Sequence, residues 1–313
     1  MRSLPDMETI QIEITNACIN QCSNCTRLCG HSSKPFFMPL DQIMQAIDSL
    51  EHFPNRIGIM GGEPLLHPDF AAICDYLSSR RDRMRCGLWT TLPKGKERYR
   101  EIIANTFGCI FLNDHSKEGI MHTPLLVASD EVVLDKSYMW YLIDKCWIQN
   151  TWSASINMHG GFFCEVAAAF ANLSGDKGWE IKDGWWEKYP KDYTEQIEKY
   201  CKMCGAAIPL WRRDSTDGRD DISPKNLEFL QKVGSPKVKR GEYEIYDKGV
   251  VVDDRKMFSF AEIEYRHQIA AKYNLGMLGF VTPYLPEVNP ELDEVSAEIK
   301  RQVLERTANG DAC

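Results

Sequence analysis

Twelve cysteines among 313 residues are the first chemical signal in this chain, and their spacing is uneven. Cys18, Cys22, Cys25 and Cys29 crowd one stretch, Cys201 and Cys204 form a C-x-x-C, and the others are scattered. Structural disulfides are not expected in a reducing compartment, so clustered cysteines there point to metal or redox chemistry. Cys18-x3-Cys22-x2-Cys25 offers three thiolates on one loop. Three thiolates hold three irons of a [4Fe–4S] cluster and leave the fourth iron open to a non-protein ligand. Zinc is the rival, but a closed structural zinc site needs a fourth ligand. Cys29 or His31 would supply it, so these residues alone leave both metals open.

Such a loop needs rigid elements to hold it. ETIQIEIT (8–15) reads as a strand that runs straight into the cysteines. MPLDQIMQAIDSL (38–50) has apolar residues at helical spacing, with Asp41 in its first turn. RIGIMGG (56–62) is a strand ending in glycines, and PDFAAICDYLSSRR (68–81) is the next helix. MRCGLWTT (84–91), GCIFLND (108–114) and PLLVASDEVV (124–133) supply three more strand candidates. Strands separated by helices predict a parallel α/β sheet or partial barrel. From about residue 140 the rhythm changes. SASINMHGGFFC (153–164) reads as a β-hairpin turning at His159-Gly160-Gly161, and EVAAAFANL (165–173) as a helix. Residues 214–240 are polar and read as irregular. Helices are expected over FSFAEIEYRHQIAAKYN (258–274) and around 291–307.

Composition narrows the partners. Hydrophobic residues at 43% and charged residues at 26% are the balance of a soluble globular protein. Against 45 acids stand 37 bases, a net charge of −8, which argues against a general nucleic-acid or anionic-membrane surface. No apolar run approaches the roughly 18–20 residues of a membrane helix, and MRSLPDMETI lacks the apolar core of a secretory signal. The expected location is cytoplasmic.

The second strand ends in Gly61-Gly62-Glu63-Pro64. With the cysteine triplet after the first strand, this motif makes the chain resemble the radical S-adenosylmethionine (radical SAM) superfamily. The resemblance implies a cluster on Cys18, Cys22 and Cys25, with the amine and carboxylate of SAM on the open iron. It also implies that Gly61 and Gly62 let the backbone approach SAM closely, lacking a Cβ, beside Pro64. Glu63 would accept a charge-assisted hydrogen bond from the amine. Thr90 and Thr91 end the third strand and Asn113 and Asp114 the fourth, at the mouth where such folds place their sites.

Cys146 and Cys164 flank the hairpin, and Cys201-Lys202-Met203-Cys204 follows. This resembles the Twitch domain, a shortened relative of the SPASM domain that carries an auxiliary [4Fe–4S] cluster. Within the superfamily the chain is most similar to the 2-deoxy-scyllo-inosamine dehydrogenase type, over residues 8–205. The resemblance implies an α/β fold: a partial (β/α) TIM-like barrel over 1–140 and a small α+β Twitch-like domain over 141–213; residues 214–313 have no counterpart in it and read as a helical C-terminal extension of unknown role. Four thiolates saturate a [4Fe–4S] cluster, so this second one would move electrons rather than bind substrate. A structural zinc on the same four cysteines, or plain core cysteines, are the other readings. Cys74, Cys86, Cys109 and Cys313 read as structural, and Cys29 as a solvated thiol.

His159 in the hairpin turn and Glu165 after Cys164 are the candidate bases. Trp185-Trp186 and Trp211-Arg212-Arg213 read as pocket lining or core, and Lys232 to Arg240 as a solvated loop. The function implied is reductive cleavage of SAM to a 5′-deoxyadenosyl radical, then hydrogen abstraction from a sugar, cyclitol or nucleoside-like substrate. Dehydrogenation with the second cluster as electron acceptor is the expected outcome, served by a flavodoxin- or ferredoxin-type reductant. The alternatives are a redox-neutral isomerase or epimerase, and a peptide-modifying SPASM-type maturase. The short lead-in to the first strand and the four cysteines of the second site favour a small substrate. A non-enzymatic zinc or electron-transfer protein does not account for the Gly-Gly-Glu-Pro motif.

Overall fold

The segment TIQIEIT forms β1 (Thr9–Thr15), and it is buried along its whole length. Alternation along a strand sends successive side chains to opposite faces. Here it sorts two buried faces by polarity. Ile10, Ile12 and Ile14 enter the main core, whereas Thr9, Gln11, Glu13 and Thr15 turn to the other side. The computed structural model describes residues 1–113, 115, 118–151, 154–247, 249 and 251.

The chain then alternates helix and strand: α1 (Leu40–Asp48), β2 (Arg56–Gly61), α2 (Phe70–Arg80), β3 (Cys86–Thr90), α3 (Arg100–Thr106) and β4 (Cys109–Leu112). The short β5 (Met121–His122) follows, then α4 (Ser129–Val132), α5 (Lys136–Asp144), α6 (Trp147–Thr151), β6 (Ala154–Asn157), β7 (Gly160–Phe162) and α7 (Glu165–Ser174). The main sheet has the order β4-β3-β2-β1-β6-β7. Its first five strands are parallel and β7 returns antiparallel from the hairpin. The sorting begun by β1 runs across it. Ile57, Ile59, Leu88, Ile110, Ala154 and Ile156 join the helix-covered core with Ile43, Ile73 and Ile103. On the opposite face Met60, Trp89 and Phe111 form a separate apolar cluster beside Gln11, Ser155 and Asn157.

The expected α/β class and parallel sheet are present. Among the described residues the sheet is an open one of six strands, and it closes into no barrel. The predicted strand at 124–133 does not form. Leu125, Leu126 and Val127 are buried, but the described bridges are isolated ones, Leu126 to Ile222 and Val133 to Val251, and Ser129–Val132 is helical. Their backbone groups bond instead to later chain: Leu125 O accepts from Gly205 N, and Leu126 O from Ser223 N and the Asn226 amide. A buried apolar run announces burial but not its partner. The fifth parallel strand is β6, the first arm of the hairpin, laid against β1 with Gln11 opposite Ser155.

Beyond the hairpin come α8 (Thr194–Tyr200), β8 (Arg213–Asp214), β9 (Asp220–Ile222), α9 (Pro224–Lys232), α10 (Pro236–Lys239) and β10 (Tyr243–Ile245). Residues 214–240 are therefore not irregular. Both helices carry a proline in the first turn, where a missing N–H removes no bond. The expected helices at 258–274 and 291–307, and Cys313, lie outside the described residues. No helix among the described residues is long and apolar enough to cross a membrane.

Candidate functional site

The cysteine loop leaves β1 at Thr15 and is zipped at its neck. Thr15 Oγ1 donates to Phe36 O at 2.6 Å, and Phe36 N donates to Asn16 Oδ1 at 2.7 Å. Inside the neck the backbone turns left-handed at Asn24 (φ 49°) and Leu28 (φ 51°). Cys18, Cys22 and Cys25 are near enough that a charge on one opposes a charge on the next, and burial pushes Cys18 and Cys22 up to about 12. Cys29 joins this set. Its thiol hydrogen-bonds Cys25, which lowers Cys25 and raises Cys29, so it is no isolated solvated thiol.

Cys146, Cys164, Cys201 and Cys204 form the second set. Burial raises all four, and repulsion within the set adds to it: Cys146 and Cys204 act on Cys164, and all three act on Cys201. Cys164 is the residue before α7, and Cys201 and Cys204 bound a tight turn after α8. Ser129 Oγ donates to Cys201 O at 2.9 Å, and Asn226 Nδ2 donates to Met203 O at 2.7 Å, fixing that turn. Thiols bind metal as thiolates, releasing protons to do so. Two sets of mutually repelling thiols, buried at Cys146 and Cys164 and half-buried at the others, are the donor chemistry that a cationic iron–sulfur group stabilises. All eleven described cysteines are free thiols. Among the described residues no three His, Cys, Asp or Glu side chains stand close enough to hold a single ion.

Gly61 and Gly62 are required by packing. A Cβ on Gly61 would lie 2.2 Å from Thr15 O, and one on Gly62 2.4 Å from Ala17 O. That closeness permits Gly62 N to donate to Thr15 O at 2.8 Å and Glu63 N to Ala17 O at 2.7 Å. The glycines thus fit the end of β2 to the exit of β1. Glu63 is the carboxylate expected to accept from a ligand amine. It is fully buried, and its oxygens accept from Leu65 N (3.1 Å), Thr90 Oγ1 (2.7 Å), Thr91 N (2.8 Å) and Thr91 Oγ1 (2.8 Å). It ties the ends of β2 and β3 together and orients both threonine hydroxyls. Pro64 is buried in the short turn that follows.

A cavity of about 150 Å³ opens beside these elements, with Cys18, Cys22, Cys25 and Cys29 on one side. Gly61, Gly62, Thr90, Thr91 and Asn113 line it, whereas Glu63 and Pro64 do not. The lining fits a small polar cofactor held at strand ends beside thiols. Asp114 lies outside the described residues. His159 does not line the cavity; its amide donates to Asn157 Oδ1 at the hairpin turn, and burial lowers its ring. Glu165 does line it. Trp185 and Trp186 are buried in the main core, Trp186 packing edge-on to Phe53, and Trp211 is exposed.

Sequence reasoning missed the polar floor. Arg27, two residues past Cys25, is 4% exposed and crosses to the inner sheet face. It donates to Gln11 Oε1, to Glu165 O at 3.4 Å and to Glu165 Oε2 at 3.4 Å. Glu13 lies beside it, and burial pushes its carboxyl up to about 7 against the pull of Arg27. Glu13 Oε2 accepts from no described residue. The available signal was the acid at an alternating position in a strand with no solvent face.

Two outcomes follow. The ordinary carboxyl value is 4.5, and a folded value raised to about 7 favours the neutral form. The apo chain is then most stable below about pH 4.5 as far as Glu13 is concerned, and loses roughly 3 kcal/mol as pH rises through 7. Glu13→Gln should flatten that slope in denaturant titrations across the window; an unchanged slope refutes the raised value. Glu63→Gln replaces one acceptor oxygen with a donor facing donors, and should lower stability by about 1–3 kcal/mol before any ligand is added. A variant as stable as the parent would show that the four bonds are not made.

Residues 12–112 match the model of the Radical SAM superfamily. No curated protein matches the chain by sequence. Among solved structures the chain is similar to BtrN in complex with AdoMet and 2-DOIA, at 14% identity and a TM-score of 0.43, covering 63% of this chain and 88% of that one. It is also similar to SeMet BtrN in an open conformation, at 16% identity and a TM-score of 0.41, covering 65% and 92%. The matched stretch runs from within β1 to the end of β4.

Proposed function

We propose that the chain is a radical SAM enzyme that dehydrogenates a small polar substrate, a sugar, cyclitol or nucleoside-like molecule, between two thiol sets. The cavity wall is the observation that carries this reading. It takes in Cys18, Cys22 and Cys25 on one side, and on another Trp147 and Glu165, which follow Cys146 and Cys164 directly in sequence. Cys18, Cys22 and Cys25 would hold one [4Fe–4S] cluster with SAM, and Cys146, Cys164, Cys201 and Cys204 a second. When bound, these groups supply hydrogen-atom abstraction and a one-electron acceptor.

The chain's own residues do the rest. Gly61, Gly62, Thr90, Thr91 and Asn113 form the wall for the cofactor, with the hydroxyls aimed by Glu63. Trp89 and Phe111, stacked at 3.9 Å, cover the apolar wall and keep water from it. Arg27 holds the Glu165 carboxylate at the floor, and this carboxylate would take a proton from a substrate hydroxyl. A flavodoxin- or ferredoxin-type donor and a cytoplasmic setting complete the reading.

Anaerobic turnover with substrates deuterated at the carbinol carbon tests it. Deuterium should pass to 5′-deoxyadenosine, and the product should be lighter than unlabelled substrate by one hydrogen molecule. A product of unchanged mass overturns dehydrogenation in favour of a redox-neutral rearrangement. Replacing Cys18, Cys22 and Cys25 together by Ala should abolish SAM cleavage while the second iron set stays visible in the spectrum. Full cleavage by that variant sinks the assignment of the loop.

A further inference from the structure

The run Lys232 to Arg240 was expected to be a solvated loop, yet Lys237 is 1% exposed. A lysine stripped of water needs partners, and Lys237 finds them on the cysteine loop. Its ammonium pairs with Asp220 Oδ2 at 2.7 Å and donates to Cys22 O at 3.1 Å. Its stem passes over Gly30, where a Cβ would lie 2.8 Å from Lys237 Cδ, so only glycine leaves it a path. Asp220, itself 1% exposed, accepts from Asn24 N through its other oxygen and meets His31 Nε2 at 2.9 Å. His31 Nδ1 lies 2.8 Å from Ser235 Oγ. Asp221 repeats the grip, accepting from Asn24 Nδ2 at 2.9 Å and donating its amide to Asn24 Oδ1 at 3.0 Å. One ion pair from β9 and α10 thereby fixes Cys22, Asn24 and His31, which bracket Cys25 and Cys29. Burial pushes the Asp220 carboxyl up, but His31 and Lys237 more than offset it and hold it low.

We propose that Asp220 and Lys237 are positioning residues that hold the cysteine loop in its metal-binding shape before any metal arrives. Residues 213–245 are then a working part of the first thiol site. The loop needs such a brace. Between its zipped neck and α1 it has one short turn, Cys29–His31, and two left-handed non-glycine residues, so little within it sets the spacing of its thiols. The proposal rests on the reading of Cys18, Cys22 and Cys25 as cluster ligands, but its first test does not.

Hydrogen exchange on the full chain before iron loading reads the loop directly. In Lys237→Met the amides of residues 22–31 should exchange at least about tenfold faster, while those of β2 and β3 keep their rates. Because Lys237→Met strands a buried carboxylate, the pair Asp220→Leu with Lys237→Met removes both charges and guards against simple misfolding. It should show the same local acceleration. After loading, iron should leave the first site for a chelator at least about tenfold faster in both variants, with release from the second site unchanged. Loop exchange that stays at the parent rate in folded variants overturns the proposal, as does acceleration spread evenly over the sheet. A parent chain that binds no iron at Cys18, Cys22 and Cys25 would end the functional reading, while the exchange rates would still decide the brace.

Discussion

The cavity depends on how closely two strand ends approach. Where β1 stops, the carbonyls of Thr15 and Ala17 accept the amides of Gly62 and Glu63, so the β1–β2 contact continues past the regular ladder. Any side chain at Gly61 or Gly62 would press into those carbonyls. The contact therefore fixes the root of the cysteine loop against the turn that carries Glu63, and Glu63 carries the fixation to β3 through Thr90 and Thr91. Three strand ends are locked by backbone and one buried carboxylate, leaving wall residues free to face the cavity. A motif read first as a ligand contact is, in this fold, the joint that makes a ligand site possible.

The polar floor follows a different logic. A parallel sheet covered on both faces is ordinarily apolar throughout, yet β1 buries Gln11 and Glu13, and β6 buries Ser155 and Asn157. Such groups persist only where they find partners. Arg27 is the main one, reaching from the cysteine loop to Gln11, Ser155 and Glu165. One guanidinium thus holds the loop, β1 and the start of α7 together. Glu13 stays poorly satisfied, and burial drives its carboxyl up. Buried charges of this kind are a poor way to stabilise a fold, and they are understandable where a site must present polar groups to something small.

Much of this was legible in the sequence. The alternation in TIQIEIT, the helical spacing of 38–50 and the glycine-ended strand at 56–62 each specify an element through its own neighbours, and each forms. The cysteine loop was legible because thiols at short spacing have few other uses, whereas Cys146, Cys164, Cys201 and Cys204 were grouped by resemblance and not by spacing. What failed were features decided by distant chain. The apolar run at 124–133 is buried at Leu125 to Val127, where the carbonyls of Leu125 and Leu126 are claimed by Gly205, Ser223 and Asn226, and it then turns helical at Ser129–Val132. Lys237 looks like a surface lysine until Asp220, 17 residues earlier, and Cys22 in the loop are brought to it. Arg27 looks like one more loop cation until β6 sits beside β1. Local pattern encodes elements, but which polar groups meet across them is settled by topology.

Topology also explains how the first cysteine loop and the sequence neighbours of Cys146 and Cys164, so far apart in the chain, come to line one cavity. Had the chain continued the β/α rhythm, a fifth strand would have added beyond β4, away from β1. Instead the hairpin crosses to the opposite edge and β6 pairs with β1 in parallel register, Ile12 opposite Ile156. Its flanking cysteines, Cys146 before it and Cys164 after it, are thereby carried to the strand from which the first cysteine loop leaves. The C-x-x-C arrives by α8 and is held by Ser129 and Asn226. The strand order alone converts a separation of more than 100 residues into adjacency across one strand. It leaves Arg27 on the first loop in reach of Glu165 on α7, a buried contact between the two sides. A sheet growing outward from β4 would have had the same motifs without that contact.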